Sequence, residues 1–401
     1  MLAAMCVCAA LTGSWIYYTY GSHLSFQDIA TFFANGRKVG RLSSDPLARL
    51  HVSIGDLRPP STHGSIRYLG ASRYLNHTRA VVTHTIDDST RFIPTCLDTL
   101  DKYGVKATVF ISTGVKRADD HWPRLEQAVN SGHEIGSHSR RHQCQWPDTF
   151  AFCFRAYTDY EIDGSRDDIL RRTTQPYVWS WCYPCGNCNT CDFVHRKLSR
   201  AGYIVARNYP DEAHDGHNLP NLQTYDADPY NATYTQLLQR RGGIARTGRT
   251  NVAEVNAKFD EVYEHEGIYN FMSHPQWLDY GPDGFYERHL AHIAKRSDIW
   301  YVPMGPLYAY HTVREETKVS ELDSQTSKAR FAVYNDLDPH VFFNSITLEF
   351  FAPDFAEILS DGHAIHEGGP DVTDRWRDEY FRRDGEKVYL TIHPNAVVEF
   401  K

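Results

Sequence analysis

The sequence predicts an α/β protein, with parallel strands covered by helices and a smaller β-rich region after them. Three observations predict this. From residue 79, short β-branched runs alternate with helical periodicity. Aspartate or histidine residues follow directly after several of those runs. After about residue 316 the alternation stops and only strand-like runs remain.

The chain has 401 residues, which suits two domains. Hydrophobic residues at 41% and aromatics at 13% suffice for a core, and 23% charged residues fit a globular surface. The formal net charge is -8 and no basic stripe is present, which argues against a nucleic-acid partner. At the N-terminus, Met1 to Leu11 is apolar and the run continues through Trp15 to Tyr18. No Lys or Arg precedes it, and it falls short of the roughly 20 residues of a membrane span. Residues 1–20 are expected to be a signal peptide or signal anchor. A secreted or extracellular location, with membrane association through this segment, follows from that expectation. The sequons Asn76-His77-Thr78 and Asn231-Ala232-Thr233 point the same way.

Residues 21–78 show no repeating pattern and are expected as an extension packed on the main domain. Residues 80–86 are rich in β-branched side chains, predict a strand, and end at Asp87-Asp88. Ile93, Cys96, Leu97 and Leu100 follow at helical spacing until Gly104 stops the helix. Residues 106–111 form the next strand. Trp122, Leu125 and Val129 mark a helix closed by Gly132, and residues 133–135 lead to Ser137-His138. The plan repeats through Phe193, Val194 and Leu198 before a strand at 203–206. Val252 to Val262 precede one at 269–272, and Leu290 and Ile293 precede one at 299–302. In such folds functional residues gather at the carboxyl ends of strands. Asp87-Asp88, His138 and His274 each fall just past one. Residues 331–334, 346–350 and 388–392 read as strands of a β-rich accessory domain spanning 317–401.

His138 and His142 are spaced i and i+4, so on a helical turn both imidazoles would reach one ion. Two neutral imidazoles and a carboxylate suit zinc and leave a position open. Asp87-Asp88 could supply that carboxylate, with a second one free to take a proton from water. Read alone, the same pair caps a helix N-terminus equally well. His274 could protonate a leaving amine, or be a structural loop histidine.

Together these stretches resemble the polysaccharide-deacetylase family, the NodB-homology group of carbohydrate esterases, over residues 79–312 or so. Thr85-Ile86-Asp87-Asp88-Ser89 resembles its first motif. Residues 103–110 look like its second strand, and residues 132–142 resemble its second motif closely. Tyr183-Pro184-Cys185-Gly186-Asn187 resembles the third motif and Phe271-Met272-Ser273-His274 the late histidine motif. The resemblance implies a distorted (β/α) barrel over residues 79–316. It implies Asp88, His138 and His142 as ligands of a divalent ion, most simply Zn2+. Asp87 would be the catalytic base, His274 the catalytic acid, and the Cys185 backbone N–H the oxyanion donor. The implied activity removes N-acetyl groups from an N-acetylhexosamine-containing polysaccharide and releases acetate. Two other readings are a hydrolase of a small non-glycan amide and a non-catalytic glycan-binding protein; intact Asp87 and His274 argue against the second.

The chain departs from the family in places. Ser89 replaces a glycine, and no stretch matches the fourth motif. Cys182 stands where the third motif often carries an arginine that braces the catalytic aspartate. Cys182, Cys185, Cys188 and Cys191 form a C-x2-C-x2-C-x2-C run. In a secreted chain this favours disulfides among the four, plus Cys144 with Cys153, over a second metal or free thiols. Cys96, on the apolar face of a helix, is the best candidate for a free thiol. Trp181 and Trp277 could stack on sugar rings or pack in the core.

Overall fold

The computed structural model describes residue 41 and residues 45–145, 147, 149–207, 233–236, 252–323, 328–368 and 379–401. The apolar N-terminal segment, Cys6, Cys8 and Asn231 lie outside these residues. Two short strands come first, β1 (Leu57–Arg58) and β2 (Arg67–Ala71). The next strands are β3 (Ala80–Ile86), β4 (Ala107–Ile111), β5 (Glu134–Ser137), β6 (Ser180–Cys182) and β7 (Val205–Arg207). Then come β8 (Thr233–Gln236), β9 (Ile268–Ser273) and β10 (Ile299–Tyr301). These eight, β3 to β10, form one sheet: seven run in the order β7-β6-β5-β4-β3-β9-β8, and β10 pairs with β3 off that path. All its pairings are parallel. β3 is the hinge of the sheet. Its first half, Ala80 to Val82, pairs with β10, and its second half, His84 to Ile86, pairs with β4. All seven of its residues are buried, as a strand covered on both faces requires.

Helices connect these strands. They are α1 (Ile93–Tyr103), α2 (Trp122–Asn130), α3 (Phe150–Ala156), α4 (Asp159–Arg172), α5 (Asp192–Arg200), α6 (Val252–Glu264), α7 (Phe285–Ile293) and α8 (Met304–Glu316). Gly104 ends α1 with φ 71°, a left-handed cap that favours glycine. The expected distorted (β/α) barrel is therefore present. The sequence reading had no counterpart for α3, α4 or α8.

The β-rich region comprises β11 (Lys318–Leu322), β12 (Ala329–Tyr334), β13 (Ile346–Phe351), β14 (Ile358–Ser360), β15 (His363–Ala364), β16 (Tyr380–Asp384), β17 (Lys387–Ile392) and β18 (Ala396–Phe400). Its two antiparallel sheets run β1-β11-β12-β18-β14-β15 and β16-β17-β13-β2. β1 and β2, from the segment before the barrel, are thus edge strands of these sheets. One apolar core joins Phe110, Trp179, Met304 and Tyr308 of the barrel to Phe331, Phe350 and Phe400. The Trp179 indole N–H donates to the Val341 carbonyl at 2.8 Å, closing the polar end of that contact. Trp181 is fully buried, so it packs in the core and offers no sugar platform. Asn76 is 6% exposed and lies between β2 and β3, so its sequon is not a surface loop. Among the described residues no helix is long and apolar enough to cross a membrane.

Candidate metal centre and active site

The strand-end placement holds. β3 stops at Ile86, β5 at Ser137 and β9 at Ser273, so Asp87, His138 and His274 are each the next residue. Parallel neighbours with aligned ends bring them to one rim. The His142 Nε2 lies 3.3 Å from Asp88 Oδ1, and the His138 Nε2 lies 3.7 Å from the same oxygen. The His274 Nε2 sits 3.9 Å from Asp88 Oδ2.

These separations suit an ion. Four ligands about 2.0–2.1 Å from zinc are about 3.3 Å from one another. Donor chemistry agrees. The His138 Nδ1–H donates to the Cys182 carbonyl at 3.0 Å, which fixes the tautomer and turns the Nε2 lone pair toward Asp88. Burial, reinforced by the neighbouring His142, depresses His138 to about 4, so it is a neutral ligand at physiological pH. Burial pushes the Asp88 carboxyl up, but the bond from His142 and the charges of His138 and His274 outweigh it and hold it ionised. Gln276 Nε2 donates to Asp88 Oδ2 at 3.0 Å and orients the carboxylate. The residues present therefore fit a zinc-like ion.

The helical turn expected for residues 138–142 is absent. The histidines meet through a loop in which Ser139 and His142 have φ of 62° and 52°. Asp88 and Cys185 share this left-handed backbone, at 73° and 54°. Such conformations persist only where neighbours over-determine them. Here α4 supplies the bracing. The Glu161 carboxylate accepts from the Arg140 and Arg141 amides, both at 2.9 Å, and pairs with the Arg141 side chain. Asp168 accepts from Arg140 Nε at 2.8 Å and from the Thr113 hydroxyl at 2.8 Å. The Ser139 hydroxyl accepts from the His142 amide at 2.9 Å. Ser89, in place of the glycine of the first motif, ties the Asp88 loop to β4: its hydroxyl accepts from the Ser112 amide at 2.9 Å.

Asp87 lies beside this ligand set, its carboxylate within 4.8 Å of a His138 ring nitrogen and of Cys182 Sγ, and is 2% exposed. Arg207, at the end of β7 and 0% exposed, makes an ion pair with its Oδ1. Arg207 Nη2 also donates to Cys182 Sγ at 2.9 Å, and the Cys182 S–H lies 3.7 Å from Asp87 Oδ2. Cys182 and Arg207 are register partners on adjacent strands. The arginine missing from the third motif is thus supplied one strand over. Burial pushes the Asp87 carboxyl up, and Arg207, with His138 and His274, outweighs this and holds it below the usual carboxylate range. The sequence reading missed Arg207, although the rule that found Asp87, His138 and His274 would have found it: a charged residue at a strand end.

Gly136 protects this arrangement. A Cβ there would lie 2.6 Å from the Phe110 ring and 2.7 Å from Ser180 Oγ, and Phe110 lies under the Arg207 guanidinium at 5.1 Å. Gly136→Ala is expected to lower stability by about 1–3 kcal/mol through overpacking. A denaturant midpoint unchanged from wild type would contradict that.

His274 is buried against Trp277, ring centroids 3.9 Å apart. Burial lowers it, opposed by the carboxylates of Asp87 and Asp88. At the third motif, the turn's bonds run from Gly186 N to Tyr183 O and from Asn187 N to Pro184 O, both 3.0 Å. Neither uses the Cys185 N–H. The cysteines pair differently from expectation: Cys144 bonds Cys185, and Cys153 bonds Cys188. The reason is that Cys144 and Cys153 each lie beside the third-motif turn, with Cα separations of 5.9 and 5.7 Å from Cys185 and Cys188. Cys182 is held inside the barrel by Arg207 and takes no part. Cys96 is a buried free thiol, as expected.

Residues 75–205 match the family model described as polysaccharide deacetylase. This stretch of the chain is therefore similar to the polysaccharide deacetylase family. Asp87, Asp88, His138, His142 and Cys185 fall inside the matched stretch, while Arg207 and His274 lie beyond it. Among solved structures, a polysaccharide deacetylase from Bacillus cereus is 15% identical with a TM-score of 0.35, covering 56% of this chain and 91% of that one. The Xyl-CE4 domain of a multidomain xylanase from the hindgut metagenome of Trinervitermes trinervoides is 15% identical with a TM-score of 0.35, covering 58% and 91%. Puue allantoinase is 14% identical with a TM-score of 0.44, covering 61% and 94%. No curated protein matches the chain in sequence.

Proposed function

We propose that this chain is a metal-dependent N-deacetylase that removes acetyl groups from an N-acetylhexosamine-containing polysaccharide, chitin-like or related, and releases acetate. The observation that carries the reading is the division of labour between adjacent aspartates. Asp88 lies with His138 and His142, and Asp87, beside them, is ionised and paired with Arg207 instead. Asp88, His138 and His142 would hold a divalent ion, most simply Zn2+. When bound, that ion supplies Lewis acidity toward a carbonyl and lowers the pKa of water.

The protein's own groups do the rest. Asp87 takes the proton from the attacking water, its carboxylate oriented by Arg207. The Cys185 N–H, free of the turn's own bonds, faces the developing oxyanion. His274 gives a proton to the departing sugar amine and is held in place by Trp277. Trp277 is partly exposed, so its outer face is available to a sugar ring.

The test is acetate release from N-acetylglucosamine oligomers, with and without a chelator, for wild type and Asp87→Asn. Wild type should release acetate, chelation should abolish release, and re-addition of Zn2+ should restore it. Asp87→Asn should lose at least about 100-fold in kcat while retaining the ion. Undiminished turnover after complete metal removal would refute the mechanism. Glycan binding without acetate release from any acetylated oligomer would refute the activity.

A further inference from the structure

We propose that the Cys144–Cys185 disulfide masks a second, thiophilic metal site formed by His142, Cys144 and Cys185. The donor atoms of these three side chains lie within 4.8 Å of one another. The His142 ring presents its two nitrogens to two different sets of groups. Nε2 faces Asp88 at 3.3 Å, and Nδ1 faces Cys144 Sγ at 3.5 Å. A nitrogen and a sulfur bound to one tetrahedral zinc, at about 2.0 and 2.3 Å, are about 3.5 Å apart. Two thiolates and an imidazole form a softer set than the two imidazoles and carboxylate of the first centre, so it selects a different class of cation.

The two disulfides are not equivalent. Cys153 and Cys188 are buried, at 1% and 0% exposure, whereas Cys144 is exposed. An exposed disulfide is the one a reductant reaches first. Its reduction takes two electrons and two protons. With a water-soluble phosphine, the S–S bond breaks, two S–H groups form, and phosphorus is oxidised to phosphine oxide with oxygen from water. A divalent ion then displaces the two thiol protons to solvent. Because His142 belongs to both sets, occupancy of the second site is coupled to the first. The inference concerns ion binding and does not depend on the catalysed reaction.

The full chain, stripped of metal, would be titrated with Co2+ in its oxidised form and after phosphine reduction. The readout is near-ultraviolet thiolate-to-cobalt charge-transfer absorption. Reduced wild type should develop this absorption, and the oxidised protein should not. Cys144→Ser and Cys185→Ser should lack it even when reduced, which separates the site from Cys153, Cys188 and Cys191. His142→Gln keeps the disulfide and serves should the cysteine variants fail to fold; after reduction its cobalt should be lost at a competing-chelator concentration at least about tenfold lower. The proposal fails if reduced wild type shows no thiolate absorption, or if the absorption persists in Cys144→Ser and Cys185→Ser.

Discussion

Arg207→Met should cost this protein most of its activity and a large part of its stability. Arg207 and Asp87 are both buried and paired, so removing the cation leaves an uncompensated carboxylate in the barrel. Breaking a buried pair from one side costs about 3–5 kcal/mol. Asp87 would also lose the partner that orients it, and displacement of a catalytic group by an ångström costs about 100-fold in rate. The pH dependence has a definite sign. Asp87 in the folded protein is held below its ordinary range, so its ionised form contributes stability above that range and loses it as pH falls through the folded value. Without Arg207 burial is opposed only by His138 and His274, so the carboxyl rises and the acidic limb of the kcat profile moves to higher pH. Cys182→Arg in the Arg207→Met background should recover activity, because the two positions are register partners at the same strand ends. Wild-type kcat and an unmoved acidic limb in Arg207→Met would show that Asp87 needs no such partner.

Asp88→Ala should abolish binding of the ion and with it the deacetylase activity, by at least about three orders of magnitude. The expectation is sharper as a linkage effect. In wild type, Zn2+ at 100 times its dissociation constant stabilises by about 2.7 kcal/mol. Asp88→Ala should show no zinc-dependent shift of its melting temperature. The same groups give a pH trend. Burial lowers His142, but Asp88 and Asp87 outweigh it and raise it in the metal-free protein. Its protonated form therefore contributes stability at low pH, and that contribution is lost as pH rises through the raised value. Metal must displace that proton, so zinc affinity should rise with pH over this range. An equal zinc-induced shift in Asp88→Ala and wild type would place the ion elsewhere.

The candidate ligand set was legible because Asp88 and His138 stand beside strand ends and His142 follows His138 in the same short local motif. Asp87-Asp88 after residues 80–86 and His138 after a buried strand needed no tertiary information. Arg207 stands at a strand end like the others, but its pairing with Asp87 was hidden because that aspartate lies 120 residues earlier and only the sheet order brings them together. Helix α4 escaped because it is charge-dense and buries Glu161, Ser165 and Asp168 to brace the ligand loop, which destroys the apolar stripe. The disulfide pairing was illegible because which cysteines come to lie beside the third-motif turn is a matter of packing. β1 and β2 gave no signal, since one has two residues and the other is half-buried without alternation.

Those two strands bear on how the molecule is assembled. β2 pairs with β13 and β1 with β11, so the sheets close only by joining segments on either side of the barrel sequence. On a ribosome, residues 57–71 emerge early and wait while the barrel is synthesised, their hydrogen-bonding edges without their partners. Closing so long a loop costs little more at equilibrium than a short one, since the entropy grows only with the logarithm of length. In time the cost is larger, because distant pairings form slowly and leave strand edges open to aggregation meanwhile. The slowest step in forming the native protein should therefore be the docking of its first strands against its last sheets, after the parallel-sheet barrel has already folded.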